Sequence, residues 1–272
     1  MSFSKQLIYW YLQNDRDLPW RKSKNPYFIW LSEIMLQQTR VSQGLSYYLT
    51  FTEEFPTVFD LAAASESKVL KLWQGLGYYS RARNLHASAK IIANEYNGVF
   101  PSTYKDIKNL KGVGDYTASA ISSICFDEVQ AVVDGNVYRV LARYFGVATP
   151  INSSKGIKEF KELAQTLIDP TQPGTYNQAI MDFGALHCKP QNPLCDTCSF
   201  SSSCAALKEK KIKELPVKEK KINGVYVYTD SSVESIITVS TNSWSGELVL
   251  KSGFGSSYDN SNASYSSGIV RD

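Results

Sequence analysis

The chain has 272 residues, 43% apolar and 20% charged, enough to bury a core in one large or two ordinary domains and too apolar to be disordered throughout. No apolar run approaches the roughly 20 residues that span a bilayer, and the opening Met1-Ser2-Phe3-Ser4-Lys5-Gln6 lacks the apolar core of a signal peptide, so the expected location is the cytoplasm. A formal net charge of +3 does not by itself select a polyanionic partner. Residues 224–272, however, set only Lys251 and Arg271 against Asp230, Glu234, Glu247, Asp259 and Asp272. The first 223 residues are therefore the basic part, and they hold every cysteine and both histidines.

Up to about residue 210 the pattern is helical. Apolar residues recur at three- and four-residue spacing, as in Leu7, Ile8, Tyr11 and Leu12. Breakers divide the run at Asn25-Pro26, Phe55-Pro56, Gly75-Leu76-Gly77, Phe100-Pro101, Gly112-Val113-Gly114, Asp169-Pro170 and Gln172-Pro173-Gly174. The stretch Trp30 to Arg40 reads as one helix with Trp30, Glu33 and Gln37 on a common face. Framed by Ile29, Trp30, Ile34 and Leu36, Glu33 would be partly desolvated, which raises its pKa toward that of a useful general acid. The bland alternative is a surface glutamate on an amphipathic helix. Ser65-Glu66-Ser67-Lys68 and Ser102-Thr103 read as helix starts. Between them, Gly75 to Arg83 joins a flexible turn to Tyr78, Tyr79, Arg81 and Arg83, residue types that stack on bases and meet phosphates. The competing reading is a core tyrosine beside solvated arginines.

Further along, Leu110 to Ala118 has the form helix, Gly-x-Gly turn, helix, which can offer exposed N–H groups to a phosphate or simply reverse the chain. Cys125 reads as a buried small hydrophobe. Asp134-Gly135-Asn136 is good capping chemistry for the helix that follows. Cys188, Cys195, Cys198 and Cys204 form a C-x6-C-x2-C-x5-C pattern, better suited to a metal centre than to disulfides in a reducing compartment. Spacing alone leaves zinc and an iron–sulfur cluster both open. Residues 208–221 read as a charged, solvated tether. Beyond it, 225–228, 236–239 and 248–250 read as short strands, and Gly253 to Ser267 as a disordered end.

Leu18-Pro19-Trp20-Arg21, Trp30 to Thr39, Gly75 to Asn84, Gly112-Val113-Gly114, Asp134 to Val140, Asn177-Gln178-Ala179 and the four cysteines agree in type, order and spacing with one family. Residues 1–210 resemble the helix–hairpin–helix DNA glycosylase superfamily, and within it the adenine DNA glycosylases of the MutY type. The resemblance implies an all-α catalytic core of two helical lobes, 24–128 with the hairpin motif, and 1–23 with 129–207 around an iron–sulfur loop. A charged linker (208–223) and a short β-rich or disordered tail (224–272) would follow. It also implies one 4Fe-4S cluster per chain, held by Cys188, Cys195, Cys198 and Cys204.

The implied activity is hydrolysis of the N-glycosidic bond of adenine mispaired with 8-oxoguanine or guanine, with the base flipped out. Glu33 would be the acid, Asp134 would stabilise the sugar cation, Asn136 would orient Asp134, and Tyr116 would line the sugar pocket. Tyr116 stands where the endonuclease III branch carries a catalytic lysine, which favours a monofunctional enzyme. Gln38 and Tyr78 would fill the gap beside the opposing base. Thr39, Leu76, Lys111, Gly112, Val113 and Gly114 would contact DNA, and Arg16, Trp20, Arg21 and Gln178 would line the adenine pocket. The expected partner is double-stranded DNA, met by a monomer in a bacterial-type, nucleoid-associated setting with no membrane. The alternatives are an endonuclease III-like enzyme for oxidised pyrimidines and a catalytically impaired DNA-binding fragment. The segment after Asn223 is too short and too Ser-rich for the Nudix-like domain that reads 8-oxoguanine in this family, so weakened mispair discrimination is expected.

Overall fold

A computed structural model describes residues 2–219, and the strands and Ser-rich end expected beyond 224 lie outside the described residues. Residues Met1–Lys218 form one compact unit. The described residues contain no strand. In chain order the helices are α1 (Phe3–Asn14), α2 (Pro26–Met35), α3 (Val41–Glu54), α4 (Val58–Ala63), α5 (Glu66–Leu72), α6 (Tyr79–Glu95), α7 (Tyr104–Lys108), α8 (Asp115–Phe126), α9 (Gly135–Phe145), α10 (Ser154–Leu167), α11 (Pro173–Asp182) and α12 (Ala205–Lys208). No helix among them is long and apolar enough to cross a membrane.

Local chemistry sets most of the starts. Ser65 and Thr103 cap α5 and α7 as their sequences predict, accepting from the backbone N–H of Lys68 and Asp106. Thr57 and Asp60 cap α4 reciprocally. One expected helix is shorter than its pattern. The run from Trp30 ends at Met35, and Gln38 takes a left-handed φ of 56° in the turn that follows. Trp30 is consequently not on a site face. It is fully buried, with its ring 5.7 Å from that of Phe100. On α1, Leu7, Ile8 and Tyr11 are buried as expected, whereas Leu12 faces outward.

The helices pack in two groups. In one, α4 lies on α6, α7 on α8, and α2 on α3 and α8. In the other, α1 lies on α11, and α9 contacts α10, α11 and α12. Helix α8 belongs to both, because it packs against α2 on one side and α11 on the other. The tether expected over 208–221 is packed at Leu215 and Val217 rather than solvated throughout. Leu215 is buried with its carbonyl accepting from Arg143 Nε at 3.1 Å, and Val217 accepts the N–H of Ile151 at 2.9 Å. Two apolar side chains and two carbonyls with protein donors override the surrounding lysines.

The α8–α11 contact depends on a missing side chain. A Cβ on Gly174 would stand 2.7 Å from both the Ser123 carbonyl oxygen and the Ile124 Cα, which are backbone atoms that cannot swing aside. Gly174→Ala is expected to destabilise the protein by about 1–3 kcal/mol, read as a lower urea midpoint. An unchanged midpoint would show that the two helices do not need this approach.

Candidate active site and cysteine cavity

Where the two groups meet, a cleft of about 1000 Å³ opens. Its walls bring together Glu33 from α2, Tyr116 from α8, Asp134 and Asn136 at the start of α9, Gln178 and Met181 from α11, and Arg16, Trp20 and Arg21. Glu33 is half-buried on the last full turn of α2. Loss of water pushes its carboxyl up to about 7, the nearby charge of Asp134 adds to that rise, and a hydrogen bond from Tyr116 and the charge of Arg21 oppose it. The Tyr116 hydroxyl also lies 3.1 Å from Met181 Sδ. Burial, the charges of Glu33 and Asp134, and the hydrogen bond to Glu33 raise its own pKa well above the usual phenol value.

Asp134 is held differently. Its Oδ1 accepts the backbone N–H groups of Asn136 and Val137, each at 2.8 Å, and its Oδ2 accepts Asn136 Nδ2 at 2.7 Å. The capping reading holds, and the same carboxylate also lines the cleft. Asn136 Oδ1 in turn accepts Arg139 Nη2 at 2.8 Å, and Arg139 donates onward to the Gly184 and Cys188 carbonyls. Gly184 permits this, because a Cβ there would meet Asn136 Cβ at 2.6 Å.

The pocket arginines are already engaged. Arg16 and Arg21 both bind Asp182, a wholly buried carboxylate that no local sequence pattern marks. Trp20 is buried edge-to-face on Tyr48, with centroids 5.0 Å apart, so it walls the cleft from the core side. Gln178 Oε1 accepts from Tyr11 Oη at 2.9 Å.

Gln38, at a left-handed φ of 56°, lines the cleft from the loop after α2, and a second loop carries exposed Tyr78 at φ 48°. Buried Arg81 joins them. Its Nη1 donates to the carbonyls of Ile34, Met35 and Gln37, and its Nη2 to those of Leu76 and Gly77. Thr39 lies beside it, with Oγ1 3.3 Å from Arg81 Nη1. Two expected contact residues are core instead. The Leu76 and Val113 side chains are buried, leaving only their backbone to face a ligand. Gly112, at φ 78° with Asn84 Cβ 2.8 Å from where its own Cβ would be, makes the tight turn of the hairpin. Lys111 and Gly114 are exposed beside it.

The four cysteines line one apolar cavity behind α9, with Phe3, Tyr144 and Phe200 among its other walls. Among the described residues, no three His, Cys, Asp or Glu side chains are arranged to hold a single metal ion. Burial pushes the Cys198 thiol up to about 11 and raises Cys195 and Cys204, and the other cysteines' charges add to each rise. Buried Arg143 stands 3.5 Å from Cys188 Sγ and donates to the Lys189 and Pro190 carbonyls. Four thiols with a buried guanidinium beside one of them are the donor chemistry of a thiolate-ligated metal centre, where Arg143 would offset residual negative charge.

Helices meeting at a carboxylate-lined cleft define a class, and residues 31–166 match the HhH-GPD superfamily of base excision DNA repair proteins, to which the chain belongs. Within that class the chain is 46% identical over 214 residues to the adenine DNA glycosylase of Rattus norvegicus, a match covering 75% of this chain and 42% of the rat protein. It is 40% identical over 220 residues to that of Buchnera aphidicola subsp. Schizaphis graminum, covering 80% of this chain and 63% of the relative. The chain thus spans about half the length of the curated relatives it matches. Among solved structures, a thermostable thymine-DNA glycosylase superposes with a TM-score of 0.70 at 32% identity, over 76% of this chain and 95% of the other.

Tyr116→Phe removes a donor that favours the ionised form of Glu33, so the Glu33 carboxyl is expected to titrate higher than about 7. Carbon-13 NMR titration of the labelled carboxyl checks this, and a downward shift would contradict the hydrogen bond.

Proposed function

We propose that this chain removes adenine from mispaired duplex DNA by hydrolysing its N-glycosidic bond, as a monofunctional glycosylase. The observation that carries this reading is two carboxyls with opposite surroundings in one cleft. Glu33 is desolvated and raised to about 7, whereas three hydrogen-bond donors converge on Asp134. Adenine leaves deoxyribose poorly unless it is protonated, and an acid that still holds its proton near neutrality supplies that proton. The positive charge then developing on the sugar is met by Asp134, whose orientation Asn136 fixes through the 2.7 Å bond. No lysine lines the cleft among the described residues, in keeping with hydrolysis rather than Schiff-base chemistry.

The base reaches Glu33 only after leaving the stack, at a cost of roughly a few kcal/mol. Gln38 and Tyr78 would fill the vacated space. Exposed N–H groups of the Gly112–Gly114 hairpin, with Lys111, take the phosphate backbone. Gln178 and the Trp20–Arg21 wall surround the base. The opposing base is 8-oxoguanine or guanine, and the protein works as a monomer in the cytoplasm. Cys188, Cys195, Cys198 and Cys204 would hold one 4Fe-4S cluster, which when bound staples the loop bearing Lys189 and serves no electron-transfer step in hydrolysis.

Glu33→Gln is expected to bind an 8-oxoguanine·adenine duplex while single-turnover excision falls by about 10²–10⁴-fold. The acid must be protonated to act, so the wild-type rate should fall as pH rises through about 7. Excision retained by Glu33→Gln, or turnover confined to an oxidised-pyrimidine duplex, would overturn the assignment. Protein purified without oxygen should be brown and carry four irons per chain. A colourless, zinc-loaded sample would exclude the cluster.

A further inference from the structure

Asp182 ends α11 with its side chain wholly buried, yet both of its oxygens are bonded to cations from the opposite end of the sequence. Oδ1 accepts Arg16 Nε at 3.0 Å, Arg16 Nη2, and Arg21 Nη2 at 2.8 Å, and Oδ2 accepts Arg21 Nη1 at 2.5 Å. Both arginines line the cleft that contains Glu33, so a three-residue cluster with two positive charges and one negative forms part of its wall.

The other ionisable groups around Glu33 can be named element by element. Helix α8 contributes Asp115, Tyr116 and Cys125, α9 begins at Asp134, α3 places Tyr48 behind Trp20, and Arg81 from α6 is turned onto the carbonyls of α2. Of the groups acting on Glu33, Arg21 is the cation. We infer that Asp182 is a positioning residue of the proposed glycosylase, holding Arg21 to itself, with Arg16 bound beside it, so that the Arg21 charge does not strip the proton from Glu33. The inference rests on Glu33 being the acid. It adds that a carboxylate touching neither base nor sugar sets the pH range in which that acid serves.

The charge count gives a sign that mere structural support would not produce. Asp182→Asn leaves two uncompensated cations beside Glu33 and frees Arg21 to turn toward it. The high-pH limb of single-turnover adenine excision should then move down by about half a pH unit or more, so the rate loss is about threefold greater at pH 8 than at pH 6. Arg16→Met leaves Asp182 to Arg21 alone as a net-neutral pair and should move the same limb up. The Arg16 side chain is 30% exposed, which makes this second variant the safer one to fold. Asp182→Glu keeps the charge and should restore the wild-type limb.

Limbs that move the same way in both variants, or rates that fall with the limb unmoved, would overturn the inference. If Asp182→Asn does not fold, an unmoved limb in Arg16→Met alone suffices to overturn it. Carbon-13 titration of Glu33 reads the same opposed shifts without turnover. Opposed shifts in an inactive protein would sink the substrate assignment and leave the Asp182 role standing.

Discussion

Helix α8 has to touch both halves of the molecule, and the cleft exists because it does. On one side it packs against α2, which carries Glu33, and on the other against α11, which carries Gln178 and Met181. Its own first turn presents Tyr116 between them. The α11 contact is made backbone to backbone at Gly174, closer than any side chain would allow. A shift of a few tenths of an ångström there would be felt directly at Met181 and Tyr116. Geometry of this kind lets a protein desolvate a carboxyl on one helix while a second carboxylate stays bonded to a helix N-terminus a short way off.

The second carboxylate belongs to a longer chain of donors. Asp134 leans on Asn136, Asn136 on Arg139, and Arg139 on the Gly184 and Cys188 carbonyls. Arg143, one turn further along α9, takes up the next carbonyls of the same loop and that of Leu215. One face of a single helix therefore satisfies both the cleft and the cysteine loop. Such networks are effective when every member is satisfied and costly when one is removed, because the remaining groups are buried.

Much of the site could be read in advance, and what could not shares a physical cause. Local signals marked Glu33 as an acid among apolar neighbours and Asp134 as a capping Asx, and only the family resemblance assigned the two to one site. The capping residues Ser65 and Thr103 were legible for the same reason. Asp182, Arg81, Gly174 and Gly184 carry no local signal. Each acts on a partner distant in sequence, and their side chains or missing side chains have meaning only once the helices have met. The early end of α2 was hidden as well, since Gln37-Gln38-Thr39 contains no breaker. Where the helix stops, Arg81, 46 residues beyond Met35 in sequence, donates to the carbonyls of Ile34, Met35 and Gln37. Leu76 and Val113 looked like contact residues by position in their loops, but apolar side chains in tight turns were worth more to the core than to the surface.

Arg81 also has a mechanical meaning. Its two terminal nitrogens bridge three carbonyls at the end of α2 and in the turn after it to two in the loop before α6. Two left-handed residues, each unfavourable alone, are held in place by the same buried cation. The loops are thus coupled as the jaws of a clamp are coupled by its pin. Loss of this one guanidinium would therefore release the backbone beside both Gln38 and Tyr78 at once.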